Sequence, residues 1–194
     1  MVQSESDTSP GLLVHLWQFV RAPGVVAEPL PSTSSVGRAM AEQVDLARAK
    51  VVVELGPGTG VVTRELLKRL PADGRLLAIE LSQAFAAQLP AWIGDPRLTV
   101  IQGSAESVDE HLRSHGVERA DAVVSSLPFA SMPASRRRSI LARTHSVMRP
   151  GARFVAMQYV PFALLSILKE EFGQARIARW CPVNLPPLFV LTAG

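Results

Sequence analysis

The segment Glu54-Leu55-Gly56-Pro57-Gly58-Thr59-Gly60 follows a β-branched run and precedes a helical pattern, so its three glycines fall in a strand-to-helix turn. Glycine lets the backbone turn tightly and come close to a ligand. The turn leaving the first strand of an open α/β sheet is a place where nucleotide-like ligands bind. A dinucleotide fingerprint has two residues between its second and third glycines; here Thr59 stands alone and Pro57 stiffens the loop, which disfavours a pyrophosphate. A triphosphate loop requires a Lys-Ser/Thr pair after the last glycine, and Val61-Val62 stand there instead. Glu80, 20 residues past Gly60 at the tip of the next apolar run, is the acid expected to accept from ribose hydroxyls.

Two acids, Glu54 and Glu80, favour a ligand with cationic groups over a polyphosphate. S-adenosylmethionine carries an ammonium and a sulfonium and fits that requirement. The candidate cofactor-binding residues are Glu54, Gly56, Pro57, Gly58, Thr59, Gly60, Glu80, Leu81, Ser104, Ala105 and Ser125. Methyl transfer from a sulfonium to an amine asks for positioning, desolvation and stabilisation of a cation, and needs neither a metal nor a covalent nucleophile. The ends of the fourth and fifth strands should face the reacting centre, which nominates Ser125, Ser126, Leu127, Pro128, Phe129 and Tyr159. Ser126, Phe129 and Tyr159 are the candidate catalytic residues, the two rings able to cage a methylated ammonium. His15, His111, His115 and His145 do not cluster in sequence, so no base is nominated.

These residues need a scaffold, and the pattern from Lys50 onward supplies one. Short apolar runs at Val51 to Leu55, Arg75 to Leu81, Arg97 to Gln102, Ala120 to Leu127 and Ala152 to Tyr159 alternate with helical patterns. The helix after Ser82 is expected to stop at Pro90, Ser107 and Glu110 have capping-box spacing, and Pro150-Gly151 reads as the turn into the fifth strand. Ala175 to Cys181 and Leu188 to Ala193 leave no room for a helix between them and should pair as an antiparallel hairpin. The expected fold is α/β: a Rossmann-like seven-stranded sheet with one reversed strand and helices on both faces. Residues 1–49 differ in character. Leu12 to Val20 predict a lopsided amphipathic helix, Pro23 to Pro31 a linker, and Val36, Met40 and Val44 one side of a second helix, so 1–49 is taken as a lid or membrane-facing segment and 50–194 as the core.

With 194 residues, 47% hydrophobic, one cysteine and a net charge of +3, the chain suits one domain without disulfides or a multi-cysteine metal site. No apolar run reaches the roughly 18 residues that span a bilayer, and the N-terminus has no basic residue ahead of its apolar stretch, so a cytoplasmic protein is expected.

Glu54 to Gly60 is similar to motif I of the class I S-adenosylmethionine-dependent methyltransferases. Together with Ala78-Ile79-Glu80, Ser125-Ser126-Leu127-Pro128-Phe129, Ser131-Met132-Pro133 and Gln158-Tyr159-Val160-Pro161, it resembles the bacterial phospholipid N-methyltransferases over residues 48 to 193. That resemblance implies methylation of the amine of phosphatidylethanolamine, in one or more rounds toward phosphatidylcholine; with no side chain nominated as base, the lipid's phosphate and water both stay open for that part. A peripheral enzyme on the inner face of an anionic membrane is expected, without nucleic acid or a stable protein partner, the apolar face at Leu12 to Val20 being wide enough to lie in a bilayer interface. Arg136-Arg137-Arg138 is the candidate headgroup patch. Ribosomal RNA adenine dimethyltransferases share the glycine loop but carry Asn-Ile/Leu-Pro-Tyr/Phe after the fourth strand, where this chain has Ser125 or Ser126. Many relatives have an acid where Ser104 stands. The competing readings are an RNA adenine or small-molecule methyltransferase, and a non-catalytic cofactor-binding or membrane-adaptor protein.

Overall fold

A computed structural model describes residues 34–182 and 187–194. The predicted helix at Leu12 to Val20 and the proline-rich linker lie outside them. The seven strands are β1 Val51–Leu55, β2 Arg75–Glu80, β3 Leu98–Gln102, β4 Ala120–Ser125, β5 Met148–Gln158, β6 Ala175–Cys181 and β7 Leu188–Ala193, in the spatial order β3-β2-β1-β4-β5-β7-β6. β7 runs antiparallel to both β5 and β6, while β1 to β5 pair in parallel. The α/β sheet with one reversed strand and a terminal hairpin is therefore as the sequence predicts.

Six α-helices are described: α1 Ser34–Ala41, α2 Val61–Leu67, α3 Gln83–Ile93, α4 Val108–Ser114, α5 Ala134–Ser146 and α6 Pro161–Phe172. Alternation along the strands divides the core between the two faces of the sheet. Val53, Leu55, Val123 and Phe154 meet α4, α5 and α6 on one face. Val52, Val124 and Val155 meet α1 and α2 on the other, where Ile93 of α3 also packs. Val36 and Met40 of α1 are fully buried there, so the described part of the 1–49 segment shares the core of the sheet. No helix among the described residues is long and apolar enough to cross a membrane.

Three local expectations are corrected. α3 does not stop at Pro90 but carries it internally and ends at Gly94, whose left-handed φ of 66° closes the last turn through an N–H bond to the Pro90 carbonyl. Proline forfeits one helical N–H bond, while Phe85 and Leu89 on the buried side hold the helix in place. Ser107 makes no side-chain cap to α4; Ser104 does the capping instead, its Oγ accepting from the Glu106 N–H at 3.2 Å ahead of a 3-10 turn. Pro150-Gly151 lies inside β5, in a bulge where the pairing jumps from Ala120 with Met148 to Ala122 with Arg153.

Asp121 ties down the start of β1. Its Oδ2 accepts from the Lys50 and Val51 N–H groups at 2.7 and 2.8 Å, and its Oδ1 accepts from Arg149 Nη1 at 2.6 Å. Asp121→Ala leaves those donors to water and should cost roughly 2 kcal/mol of unfolding free energy, read from the urea midpoint at unchanged slope.

Candidate functional site

β1 and β4 are neighbours, yet the helices that follow them, α2 and α5, leave to opposite faces of the sheet. A crevice at such a switch point is where an α/β sheet takes a ligand, and the glycine turn sits on its lip. Gly56, Gly58 and Gly60 all have positive φ, at 71°, 54° and 80°. Their surroundings separate their roles. A Cβ on Gly60 would lie 2.7 Å from Leu89 Cδ1, so this glycine lets the start of α2 pack on α3. A Cβ on Gly56 would meet Leu127 at 2.9 Å, whereas Gly58 has nothing within 4 Å and faces open space. Pro57 is buried, and its carbonyl closes the turn by accepting from the Gly60 N–H at 2.9 Å. The Thr59 carbonyl is held by Arg64 Nη1 at 3.2 Å.

Glu80 stands at the tip of β2 beside this turn. Its Oε2 accepts from the Gly58 N–H at 3.0 Å and its Oε1 from the Ser82 N–H at 2.8 Å. Each carboxylate oxygen keeps further acceptor capacity, enough for the two hydroxyls of a ribose. Burial raises its pKa, against the pull of the backbone N–H groups that bond it. Leu81 follows with 48% of its surface exposed, an apolar platform beside the acid. Ser104 lies just past β3, and Ala105 is buried in the core, so its side chain contributes packing.

Glu54 is the most unusual group. It is fully buried near the end of β1, with its Oε2 accepting from Thr63 Oγ1 at 2.7 Å and its Oε1 without a hydrogen-bond partner. Desolvation pushes its pKa up to about 8; the Thr63 bond opposes the shift and the charge of Glu80 adds to it. Thr63 is absent from the sequence prediction because nine residues separate it from Glu54, and only the fold of α2 over β1 brings them together. A buried carboxyl with an empty acceptor, an open glycine and a ribose-competent acid fit S-adenosylmethionine: Glu54 toward its ammonium, the turn at Gly56 to Gly60 around it, Glu80 and Leu81 toward its nucleoside.

The turn after β4 is fastened tightly. Ser126 N–H donates to the Leu55 carbonyl at 2.9 Å, and Ser125 Oγ accepts from the Leu127 N–H at 3.3 Å. Gln158, buried at the end of β5, donates from Nε2 to the Leu127 carbonyl at 2.8 Å and accepts from the Ala130 N–H at 3.3 Å. Sequence reasoning quoted Gln158 but gave it no role. Phe129 is corrected: it is fully buried, edge-on to Phe154 with centroids 6.4 Å apart, so it anchors the turn in the core and offers no ring face to a ligand. Tyr159 is half-buried just past β5, against the core cluster of the opposite face. Strand alternation puts Ser126 and Tyr159 on the Glu54 side of the sheet, so these two share a face and Phe129 does not join them.

Of the three consecutive arginines, Arg136 pairs with Glu106 and Arg138 with Glu170, both at 2.6 Å, while Arg137 has a buried Nε without a partner. His111 packs against Gly103, His115 closes α4 and His145 contacts Glu171, whereas His15 lies outside the described residues.

A family model described as a methyltransferase domain matches residues 52–151. The chain is similar to an ornithine lipid N-methyltransferase of Singulisphaera acidiphila, 28% identical over 173 residues, covering 89% of this chain and 90% of the relative. It is also similar to ribosomal RNA small subunit methyltransferase A of Clostridium perfringens, 35% identical over 96 residues, covering 49% of this chain and 32% of that protein. Among solved structures, mitomycin 7-O-methyltransferase MmcR superposes with a TM-score of 0.64 at 14% identity, covering 92% of this chain and 60% of that one, a likeness of fold.

Protonation of Glu54 yields two measurable consequences. Its folded pKa near 8 lies above the ordinary 4.5, so the folded state holds the extra proton between those values. Stability of the ligand-free protein should therefore fall as pH rises from about 5 to about 8 and level off beyond; Glu54→Gln flattens that slope in melts across pH. A ligand ammonium beside Glu54 favours its ionised form, so binding of S-adenosylhomocysteine at pH 7 should release up to about one proton. Calorimetry in buffers of different ionisation enthalpy reads this, and Glu54→Gln abolishes the release.

Proposed function

The chain belongs to the methyltransferase domain family and is an S-adenosylmethionine-dependent enzyme, and from that premise we propose that it methylates the amine of a membrane lipid, with phosphatidylethanolamine as acceptor. The observation that carries this reading is the likeness to a lipid N-methyltransferase along nearly the full length of both chains. The ribosomal RNA relative shares only about half of this chain. When bound, S-adenosylmethionine supplies a methyl group that leaves its sulfonium for an amine nitrogen, the C–S electron pair staying on sulfur. The protein's part is to hold, orient and dry the reactants: Glu54 would hold the cofactor's ammonium and Glu80 its ribose, and the fastened turn after β4 fixes where an acceptor sits.

The surface supports a lipid acceptor in a second way. The large exposed hydrophobics among the described residues are Leu81, Val160, Phe162 and Trp180, at 48, 56, 70 and 58% exposure. Leu81 follows β2, Val160 and Phe162 follow β5, and Trp180 is the penultimate residue of β6, which runs the same way as β5. All four lie on the carboxyl edge of the sheet, the rim that carries the glycine turn. Apolar residues gathered on one rim suit contact with a lipid surface, and Arg137 near the start of α5 adds a cation whose buried Nε has no hydrogen-bond partner among the described residues. This reading makes the enzyme peripheral, on an anionic inner leaflet. The relative's name favours a second acceptor, the amine of ornithine lipid.

Incubation with methyl-labelled cofactor and, in parallel, phosphatidylethanolamine vesicles, ornithine-lipid vesicles and ribosomal RNA decides among the acceptors. Label should enter phosphatidylethanolamine; label in ornithine lipid alone moves the assignment to that acceptor, and label in RNA alone ends the lipid reading. Phe162→Glu combined with Trp180→Glu should weaken co-sedimentation with anionic vesicles by about tenfold or more, with S-adenosylhomocysteine affinity unchanged. Equal sedimentation of variant and native protein removes this rim from membrane contact.

A further inference from the structure

We infer that Ser126 positions the acceptor by taking an N–H of its amine into the side-chain oxygen, and that this makes the third of three successive methylations the slow one. The inference rests on the lipid-amine reading and deepens it. At the tip of β4 the Ser126 hydroxyl stands apart from its hydrogen-bonded neighbours. Ser125 Oγ accepts from the Leu127 N–H. The Leu127 carbonyl accepts twice, from Gln158 Nε2 at 2.8 Å and from the Phe129 N–H at 2.9 Å, which fills both of its lone pairs. Ser126 Oγ is buried and has no hydrogen-bond partner. A buried hydroxyl in that state forgoes its hydrogen bonds to water with nothing in return, so a partner that arrives with the substrate is favoured there. Ser126 has its backbone locked to Leu55 and lies on the Glu54 side of the sheet. Its single side-chain torsion has staggered alternatives through which the oxygen would turn toward an acceptor.

For attack, the nitrogen lone pair must point at the methyl carbon, so only an N–H of the neutral amine can bind Ser126. A primary amine has two such hydrogens. Each transfer adds one methyl and, after one proton passes to solvent, leaves one N–H fewer. The monomethyl acceptor still offers one, and the dimethyl acceptor offers none. The first two transfers are therefore anchored by Ser126 and the third is not.

The test uses the full chain with three vesicle substrates that differ only in the headgroup: phosphatidylethanolamine and its monomethyl and dimethyl derivatives. In the native enzyme kcat/KM should drop by about tenfold from the monomethyl to the dimethyl acceptor, the scale of one oriented hydrogen bond. In Ser126→Ala the first two values fall by about tenfold and the third stays within about twofold, while Ser126→Thr, which keeps a hydroxyl, retains the native pattern. S-adenosylhomocysteine binding by calorimetry checks that the variants are folded. A loss equal for all three acceptors, or no loss at all, overturns the role of Ser126 and leaves lipid methylation standing. Native enzyme that labels none of the three overturns the phosphatidylethanolamine reading and this inference with it.

Discussion

The site is organised around a carboxyl group withdrawn from water before it has a full set of partners. Glu54 is fully buried, held by Thr63 at one carboxyl oxygen and without a partner at the other. An ionised carboxylate in that state costs several kcal/mol, and the protein avoids the charge by raising the pKa so that a proton remains at neutral pH. The parallel pairing of Leu55 with Ile79 brings a second buried acid, Glu80, to the tip of the neighbouring strand, which makes ionisation of Glu54 harder still. A ligand cation relieves both difficulties at once. A preference for a cationic ligand at Glu54 is what its burial and its unpartnered oxygen would produce.

The same economy governs the turn after β4. Phe129 is driven into the core against Phe154, and Gln158 reaches from β5 to hold the Leu127 carbonyl and the Ala130 N–H. These contacts leave the turn little freedom, so the position of Ser126 is set by strand pairing and core packing. A reaction that needs orientation and desolvation more than proton transfer gains most from such rigidity.

The strands were legible because the buried apolar runs and the turn residues between them agree, and the hairpin was legible because six residues between two strands leave no alternative. What was illegible depends on neighbours distant in sequence. Pro90 looks like a stop, but Phe85 and Leu89 keep α3 packed through it until Gly94. Pro150-Gly151 looks like a turn, but β4 continues to pair with β5 around a bulge. In the site, the glycines and Glu80 were readable from spacing because backbone conformation and strand length fix them. Thr63 and Gln158 were not, since their partners lie 9 and 31 residues away in sequence. An aromatic residue next to a strand end carries no sign of which way it turns, and Phe129 turned inward.

Charge on α5 shows how a surface feature can be both costly and retained. Cations in or just past a helix's first turn, as Arg136, Arg137 and Arg138 are, oppose its dipole, each by up to roughly 0.3 to 1 kcal/mol. Glu106 and Glu170, from the segments flanking α5, neutralise the outer two. Such exposed pairs contribute little to stability and are readily exchanged, so they moderate the repulsion without locking the arginines away. Arg137, between them, packs inward far enough to bury its Nε, which has no acceptor among the described residues. Ion pairing within the fold therefore offsets the repulsion of the outer two cations, tying α5 to the 3-10 turn after β3 and to α6, and leaves the Nε of the middle one without that compensation.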